Sequence, residues 1–201
     1  MAFNRFISYL LHPISFPSLG ALFYLFVLPR YVSDEFKFFI LSIVFVGTFI
    51  IPILLLGVLK KAKMITSFHL ATVEERKYPL LLFAFLAILV GRLLFKASLV
   101  DGLALHFIAG GLDLLVVYGF LWVKTKVSIH TLGIGSLIGF VIQISIDYHL
   151  NLLLVTGGLF VMFGVLAKAR IALDAHTQKE VILGVSIGVL AQLLVPVVYY
   201  F

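Results

Sequence analysis

An arginine, a histidine six residues later and a glutamate four after that, Arg170, His176 and Glu180, fall in the polar stretch Ala169–Glu180 between two apolar runs, Leu150–Lys168 and Val181–Phe201. Ionisable groups are expensive to keep at a membrane boundary, so all three are functional candidates. If the last helix begins near His176, the Glu180 carboxylate lies one turn along on the same face. A carboxylate bonded to one ring nitrogen fixes the imidazole tautomer and leaves the other nitrogen free to attack or to bind. The competing reading is a charged loop followed by a helix whose first turn holds Glu180.

Two further clusters carry related chemistry. Thr72-Val73-Glu74-Glu75-Arg76-Lys77-Tyr78-Pro79 precedes one apolar run, and Lys126-Val127-Ser128-Ile129-His130 opens another. Together the three clusters supply the cations Arg76, Lys126 and Arg170, the Ser128 hydroxyl, and the imidazoles of His130 and His176, the latter with Glu180 as partner. A guanidinium presents a rigid fork of donors that matches phosphate oxygens. An attacking histidine and a second, proton-donating histidine are what phosphoryl transfer through a covalent intermediate needs.

The elements that must position these groups are membrane helices. The chain has 201 residues, of which 63% are hydrophobic and 12% charged, with a mean hydropathy of +1.21. A soluble domain is about a quarter charged. An integral membrane protein follows, read as one all-α polytopic bundle over residues 1–201. A helix crosses the bilayer in about 20 residues, which leaves no room for a soluble domain. Arg5 alone precedes an apolar stretch broken by Pro13 and Pro17, and no small-residue cleavage site follows, so no signal peptide is read. The absence of cysteine excludes disulfides, thiolate metal sites and cysteine nucleophiles. The net charge of +6 suits anionic headgroups or phosphate, and no soluble basic domain points to nucleic acid.

Apolar runs and charged breaks predict seven spans, about Pro13–Pro29, Phe38–Leu59, Pro79–Phe95, Gly102–Val123, Val127–Ile146, Leu150–Ala167 and Thr177–Tyr200. Pro79 suits a first helical turn. The first and third stretches are short, so six spans with a half-inserted first segment is the alternative. Tyr24, Tyr31, Trp122, Tyr148, Tyr199 and Tyr200 fit interfacial belts. Gly135/Gly139 and Gly184/Gly188 are small-residue pairs that let helices pack closely in lipid. Alternating spans return the chain to the N-terminal face at Lys60–Tyr78, Lys124–Lys126 and Lys168–His176, the segments that hold the three clusters. The other face receives Arg30–Lys37, Lys96–Asp101 and Asp147–His149.

With its clusters so arranged, the chain resembles the type 2 phosphatidic acid phosphatase superfamily, whose fold is shared with vanadium haloperoxidases. That family's motifs read K-x6-R-P, P-S-G-H and S-R-x5-H-x3-D. Ala169-Arg170, five residues, His176, three residues, Glu180 reproduces the third spacing, with Ala for Ser and Glu for Asp. Ser128-Ile129-His130 resembles the second, with Val127 for Pro and Ile129 for Gly. The first departs most: Arg76 lies three residues before Pro79, and His69 stands where the family has lysine. Two apolar spans separate the first and second clusters, and the resemblance covers a core of residues 60–201.

The resemblance implies roles. His176 would attack phosphorus and form a phosphohistidine, which water then hydrolyses. Glu180 would orient His176 and steady its imidazolium, and His130 would protonate the leaving oxygen. Arg76, Lys126, Arg170 and Ser128 would hold the non-bridging oxygens, with no cofactor and no metal required. The implied substrate is a phospholipid or a polyisoprenyl phosphate or diphosphate, whose headgroup enters sideways while its chains stay among membrane lipids.

Arg92, His106 and Asp113 fall inside apolar spans. They read either as a proton or ion relay or as an interhelical network, with Arg92 snorkelling to the face opposite the clusters. Glu74 and Glu75 read as compensating charge, Lys60, Lys61 and Lys63 as topology signals, and His12 and His69 are assigned no role. Eleven Lys/Arg lie on the N-terminal face against four on the other, or eight against four without the three phosphate candidates. The positive-inside tendency then puts the N-terminus and the clusters on the cytoplasmic side, in a bacterial inner membrane. The competing function is non-catalytic: a relative that only binds anionic headgroups, or a small transporter built on Arg92, His106 and Asp113.

Overall fold

The computed structural model describes residues 1–68, 70, 72–97 and 100–200, so His69 lies outside the described residues. Among these the chain forms α-helices joined by short turns, with no strand. Among the described residues seven helical segments are long and apolar enough to cross a membrane, and the molecule is an all-α helical bundle. Large apolar side chains point outward all round it, among them Phe26, Leu154 and Val198, each at least 80% exposed. Such a surface suits lipid rather than water.

The first span is Ala2–Val27, not Pro13–Pro29. It consists of α1 (Ala2–Leu10), a 3-10 turn (Pro13–Ser15) and α2 (Phe16–Val27). The residues before Pro13 are apolar enough to form a helix of their own, and Pro13 interrupts the span instead of opening it, because it lacks the N–H a continuing helix needs. His12 caps the turn, its Nδ1 accepting from Ile14 N at 3.3 Å. The second span, Asp34–Lys61, joins α3 (Asp34–Phe45) to α4 (Ile51–Lys61) through a π-helical segment at Val46–Ile50. It extends past the expected Phe38–Leu59 at both ends. Ser33 Oγ caps α3, Asp34 and Glu35 fill its first turn, and Lys60 and Lys61 close α4, each charge matching the helix dipole.

The third span is α5 (Val73–Phe95), and it corrects the expectation for Pro79, which sits inside the helix and not in its first turn. The start is set upstream by Thr72, whose Oγ1 accepts from Glu75 N at 3.3 Å, and by Glu74 and Glu75 at the positive end of the dipole. The remaining spans are α6 (Asp101–Phe120), α7 (Ile129–Asp147), α8 (Leu153–Ala172) and α9 (Gln178–Tyr200).

Both predicted glycine pairs lie where α7 meets α9. A methyl group at Gly139 would stand 2.8 Å from the Val189 carbonyl oxygen, and one at Gly184 would stand 2.6 Å from the Ser128 carbonyl oxygen. Gly135 faces Val185, and Gly188 faces Leu132 and Ser136. This backbone-to-backbone approach brings the N-termini of α7 and α9 together: Ser128 N donates to Glu180 O at 3.1 Å, and Thr131 Oγ1 to Val181 O at 3.0 Å. The far end of the bundle is tied by aromatics, with the Tyr24 and Tyr148 hydroxyls 2.8 Å apart and the Phe95 and Tyr199 rings stacked at 5.3 Å.

Replacing Gly139 or Gly188 by valine is therefore expected to lower the thermal midpoint of the detergent-solubilised protein, by an overpacking cost of roughly 1–3 kcal/mol. Gly157→Ala, where an added methyl meets nothing within 4 Å, should leave the midpoint unchanged or raise it. Equal midpoints for Gly139→Val and Gly157→Ala would show that the α7–α9 approach is not tight.

Candidate active site

The three polar clusters converge at one end of the bundle, around a cavity of about 250 Å³ whose wall includes Arg76, His130, Arg170 and His176. His176 lies before α9, not within it, so its pairing with Glu180 is not that of two residues on one helix face. A capping box makes it instead. Glu180 N donates to Thr177 Oγ1 at 3.3 Å, and Thr177 N donates to Glu180 Oε2 at 3.0 Å. The turn so formed swings His176 back over the carboxylate.

His176 Nδ1 lies 3.0 Å from Lys126 O and 3.2 Å from Glu180 Oε2. Both partners are acceptors, so Nδ1 carries the proton and Nε2 keeps its lone pair. The side chain is only 2% exposed. Burial first, then the Arg76 and Arg170 guanidiniums, push its pKa well below the ordinary value, with Glu180 opposing. Lys126 is also shifted downward, by burial and by Arg76. Its backbone is part of the site on both sides: its carbonyl accepts from His176, and its N–H donates to Glu180 Oε1 at 3.2 Å.

Arg76 is buried and held by main-chain oxygens. Its Nε donates to Leu70 O and its Nη1 to Val127 O, each at 3.0 Å. Leu70 adopts the left-handed region, with φ 47°, in presenting that carbonyl. Two N–H donors of the fork are thus spent on positioning, and the side chain still reaches the cavity wall. Glu75 is buried too, its Oε1 accepting from Thr66 N at 2.5 Å and Thr66 Oγ1 at 2.6 Å. It fastens the loop before α5 to that helix. Arg170, in the last turn of α8, reaches the same cavity with its buried Nε lacking a hydrogen-bond partner.

Ser128 is fully buried and serves as the N-cap of α7, its Oγ accepting from Thr131 N at 3.4 Å. Neither its hydroxyl nor the Lys126 side chain forms part of the cavity wall. His130 does, with its Nε2 3.3 Å from Ser8 O. His12 joins it there, the two rings edge to face at 5.3 Å. Only tertiary packing could reveal His12, because α1 and the 3-10 turn fold onto the ends of α7 and α8. Among the described residues no group of three or more histidines and carboxylates is arranged to hold a metal ion.

Of the intramembrane groups, His106 Nδ1 bonds Gln192 Oε1 on α9 at 2.9 Å, and Asp113 Oδ2 accepts from Ser136 Oγ on α7 at 2.6 Å. Both therefore bridge helices, and both also line the cavity. Arg92 is exposed near the other end of α5.

No family model, curated protein or solved structure matches this chain. What the site can do rests on its own geometry. A neutral imidazole offers a lone pair to a cavity whose same end carries two guanidiniums, one of them with an unmet donor.

With its pKa lowered, His176 is expected to stay neutral through pH 6.5, where an exposed imidazole is half protonated. Protons then favour the unfolded chain as pH falls below about 6.5, so this residue's contribution to stability is complete above that pH and declines beneath it. Nitrogen-15 NMR of histidine-labelled protein should show, for His176, a protonated Nδ1 and a bare Nε2 at pH 7. The signal should not titrate near 6.5, and Glu180→Gln should mix the tautomers. A resonance that titrates at the ordinary value would contradict the assigned hydrogen bonds.

Proposed function

We propose that the cavity is the active site of a membrane-embedded lipid phosphatase acting on a phosphomonoester or diphosphate of an amphiphile. The observation that carries the reading is the fixed tautomer of His176, with Nε2 free beside Arg76 and the unsatisfied Nε of Arg170. The motif resemblance to the type 2 phosphatidic acid phosphatases supports it.

In the proposed reaction Nε2 of His176 attacks phosphorus, a P–N bond forms, and the P–O bond to the leaving group breaks. Glu180 and the Lys126 carbonyl stabilise the positive charge left on the ring. His130 takes up a proton as the anionic headgroup binds beside it and passes that proton to the departing oxygen, with Ser8 O holding its Nε2. Water then cleaves the P–N bond and releases inorganic phosphate. Arg76 and Arg170 balance the charge on the non-bridging oxygens. The Lys126 ammonium and the Ser128 hydroxyl would take part only if the loop before α7 moved on binding. The apolar remainder of the cavity takes up part of the chain of a phospholipid or polyisoprenyl substrate. The excess of lysine and arginine on the same face supports a cytoplasmic orientation in a bacterial inner membrane.

The test is release of inorganic phosphate from phosphatidic acid, phosphatidylglycerophosphate and a polyisoprenyl diphosphate by purified protein in EDTA. His176→Ala should abolish turnover for every leaving group and leave no phosphoenzyme. His130→Ala should lose about 10²–10⁴-fold on a poor leaving group and recover in part on a good one. An acid-labile, base-stable phosphoprotein should be trapped with wild type and not with His176→Ala. A phosphoprotein that persists without His176 would end the scheme. Tight binding of phosphorylated amphiphiles with no turnover would favour a headgroup-binding protein.

A further inference from the structure

The cavity does not stop at the phosphate end. It continues between α5, α6 and α7 past apolar walls that include Phe16, Leu80 and Phe83, and reaches Asp113, Ser136 and His106. Ser136 lies eight residues beyond Ser128, the N-cap of α7, which places it about 12 Å along the helix axis. That is farther than a glycerol backbone reaches from its phosphate. Polar groups at such a depth need a reason to face a cavity and not a neighbouring helix.

Asp113 is 1% exposed, and although its Oδ2 accepts from Ser136 Oγ at 2.6 Å, its Oδ1 has no partner. His106 carries an acceptor as well. Gln192 Nε2 donates to His106 O at 3.2 Å, so Gln192 Oε1 must be the acceptor for His106 Nδ1–H. The His106 lone pair is then on Nε2, on the side that faces Gly20. Between the two on the same face of α6 stands Gly110. It also lines the cavity, and a methyl group added there would meet nothing within 4 Å. The stripe His106, Gly110 and Asp113 thus sets open space beside the unpartnered Asp113 Oδ1.

We propose that this deep end is a second binding subsite, one that recognises a hydroxyl group carried part-way along the apolar chain of the amphiphile. A hydroxyl supplies the donor that Asp113 Oδ1 lacks. It is uncharged, so it crosses the apolar stretch of the cavity at far less cost than an ammonium would. A plain hydrocarbon chain leaves Asp113 Oδ1 unanswered, and sites built around a buried polar group discriminate strongly against analogues that lack the matching one. The subsite rests on the proposed phosphatase reading only for where the phosphate end of the ligand lies.

The experiment measures equilibrium binding, not turnover, using the full chain in nanodiscs and non-hydrolysable dodecylphosphonates. One ligand has a plain chain, and the others carry a single hydroxyl at successive carbons. Wild type should bind one mid-chain hydroxyl position about tenfold more tightly than the plain chain, with no gain at positions near the phosphonate. Gly110→Leu projects its side chain into the space where an added methyl meets nothing within 4 Å, so it should erase that preference while leaving methylphosphonate binding unchanged. Asp113→Val removes the acceptor while Ser136 Oγ keeps Leu132 O at 3.0 Å, and it too should erase the hydroxyl preference. Equal affinity for all positions in wild type would overturn the subsite, as would a hydroxyl preference that survives Gly110→Leu. A preserved preference in a protein that releases no phosphate would instead remove the phosphatase reading and leave the subsite standing.

Discussion

Glu180 accepts hydrogen bonds from three separate places: the backbone N–H of Lys126 in the loop before α7, the backbone N–H of Thr177 at the cap of α9, and Nδ1 of His176. Bonds to an ionised carboxylate contribute about 1.5–3 kcal/mol each, and more is at stake where the surroundings exclude water. The same carboxylate that satisfies the first turn of α9 therefore locks two helix N-termini together and sets the tautomer of the imidazole between them. Glutamate is the side chain that reaches back to a cap N–H from the third helical position. The methylene by which it exceeds aspartate lets one residue serve the helix end and the imidazole together.

That arrangement requires α7 and α9 to meet closely at their first turns. In lipid, hydrophobic burial does not drive helices together, and close packing of small residues takes its place. Gly135, Gly139, Gly184 and Gly188 let the two backbones touch, and the contact extends to the bond from Ser128 N to Glu180 O. Farther in, two polar pairs fasten α6 to these helices, His106 to Gln192 on α9 and Asp113 to Ser136 on α7. These polar side chains thus face inward from α6, α7 and α9, while large apolar ones face outward.

The span count, the glycine interface and the meeting of Arg76, His130, Arg170 and His176 were legible in the sequence, because apolar runs of membrane length force alternation and alternation decides which loops share a face. Details governed by local capping were less legible. Pro79 resembled a helix start, yet Thr72 and Glu75 begin α5 upstream. Ser128 looked like a ligand by its spacing to His130, but the same residue type at that position is the natural N-cap of α7, and capping is what its Oγ does. His12 and the Ser8 carbonyl could not be read at all, since their place beside His130 depends on how the break at Pro13 folds α1 back on the bundle. The π-helical segment at Val46–Ile50 left no signature either, although it sets Thr48 on the cavity wall.

The two guanidiniums of the site are held differently, and the difference bears on affinity. Arg76 already has two main-chain acceptors, so it is positioned before any ligand arrives, and little side-chain entropy remains to be lost on binding. Arg170 keeps a buried N–H without an acceptor, a state that costs about 1–3 kcal/mol of desolvation left unrepaid. An oxyanion placed between them would gain the attraction of both and also remove that penalty. Below them the walls turn apolar, where a phosphate could not follow but a hydrocarbon chain could. A ligand that is anionic at one end and apolar beyond it is the kind whose own polarity follows that of the cavity from Arg170 inward.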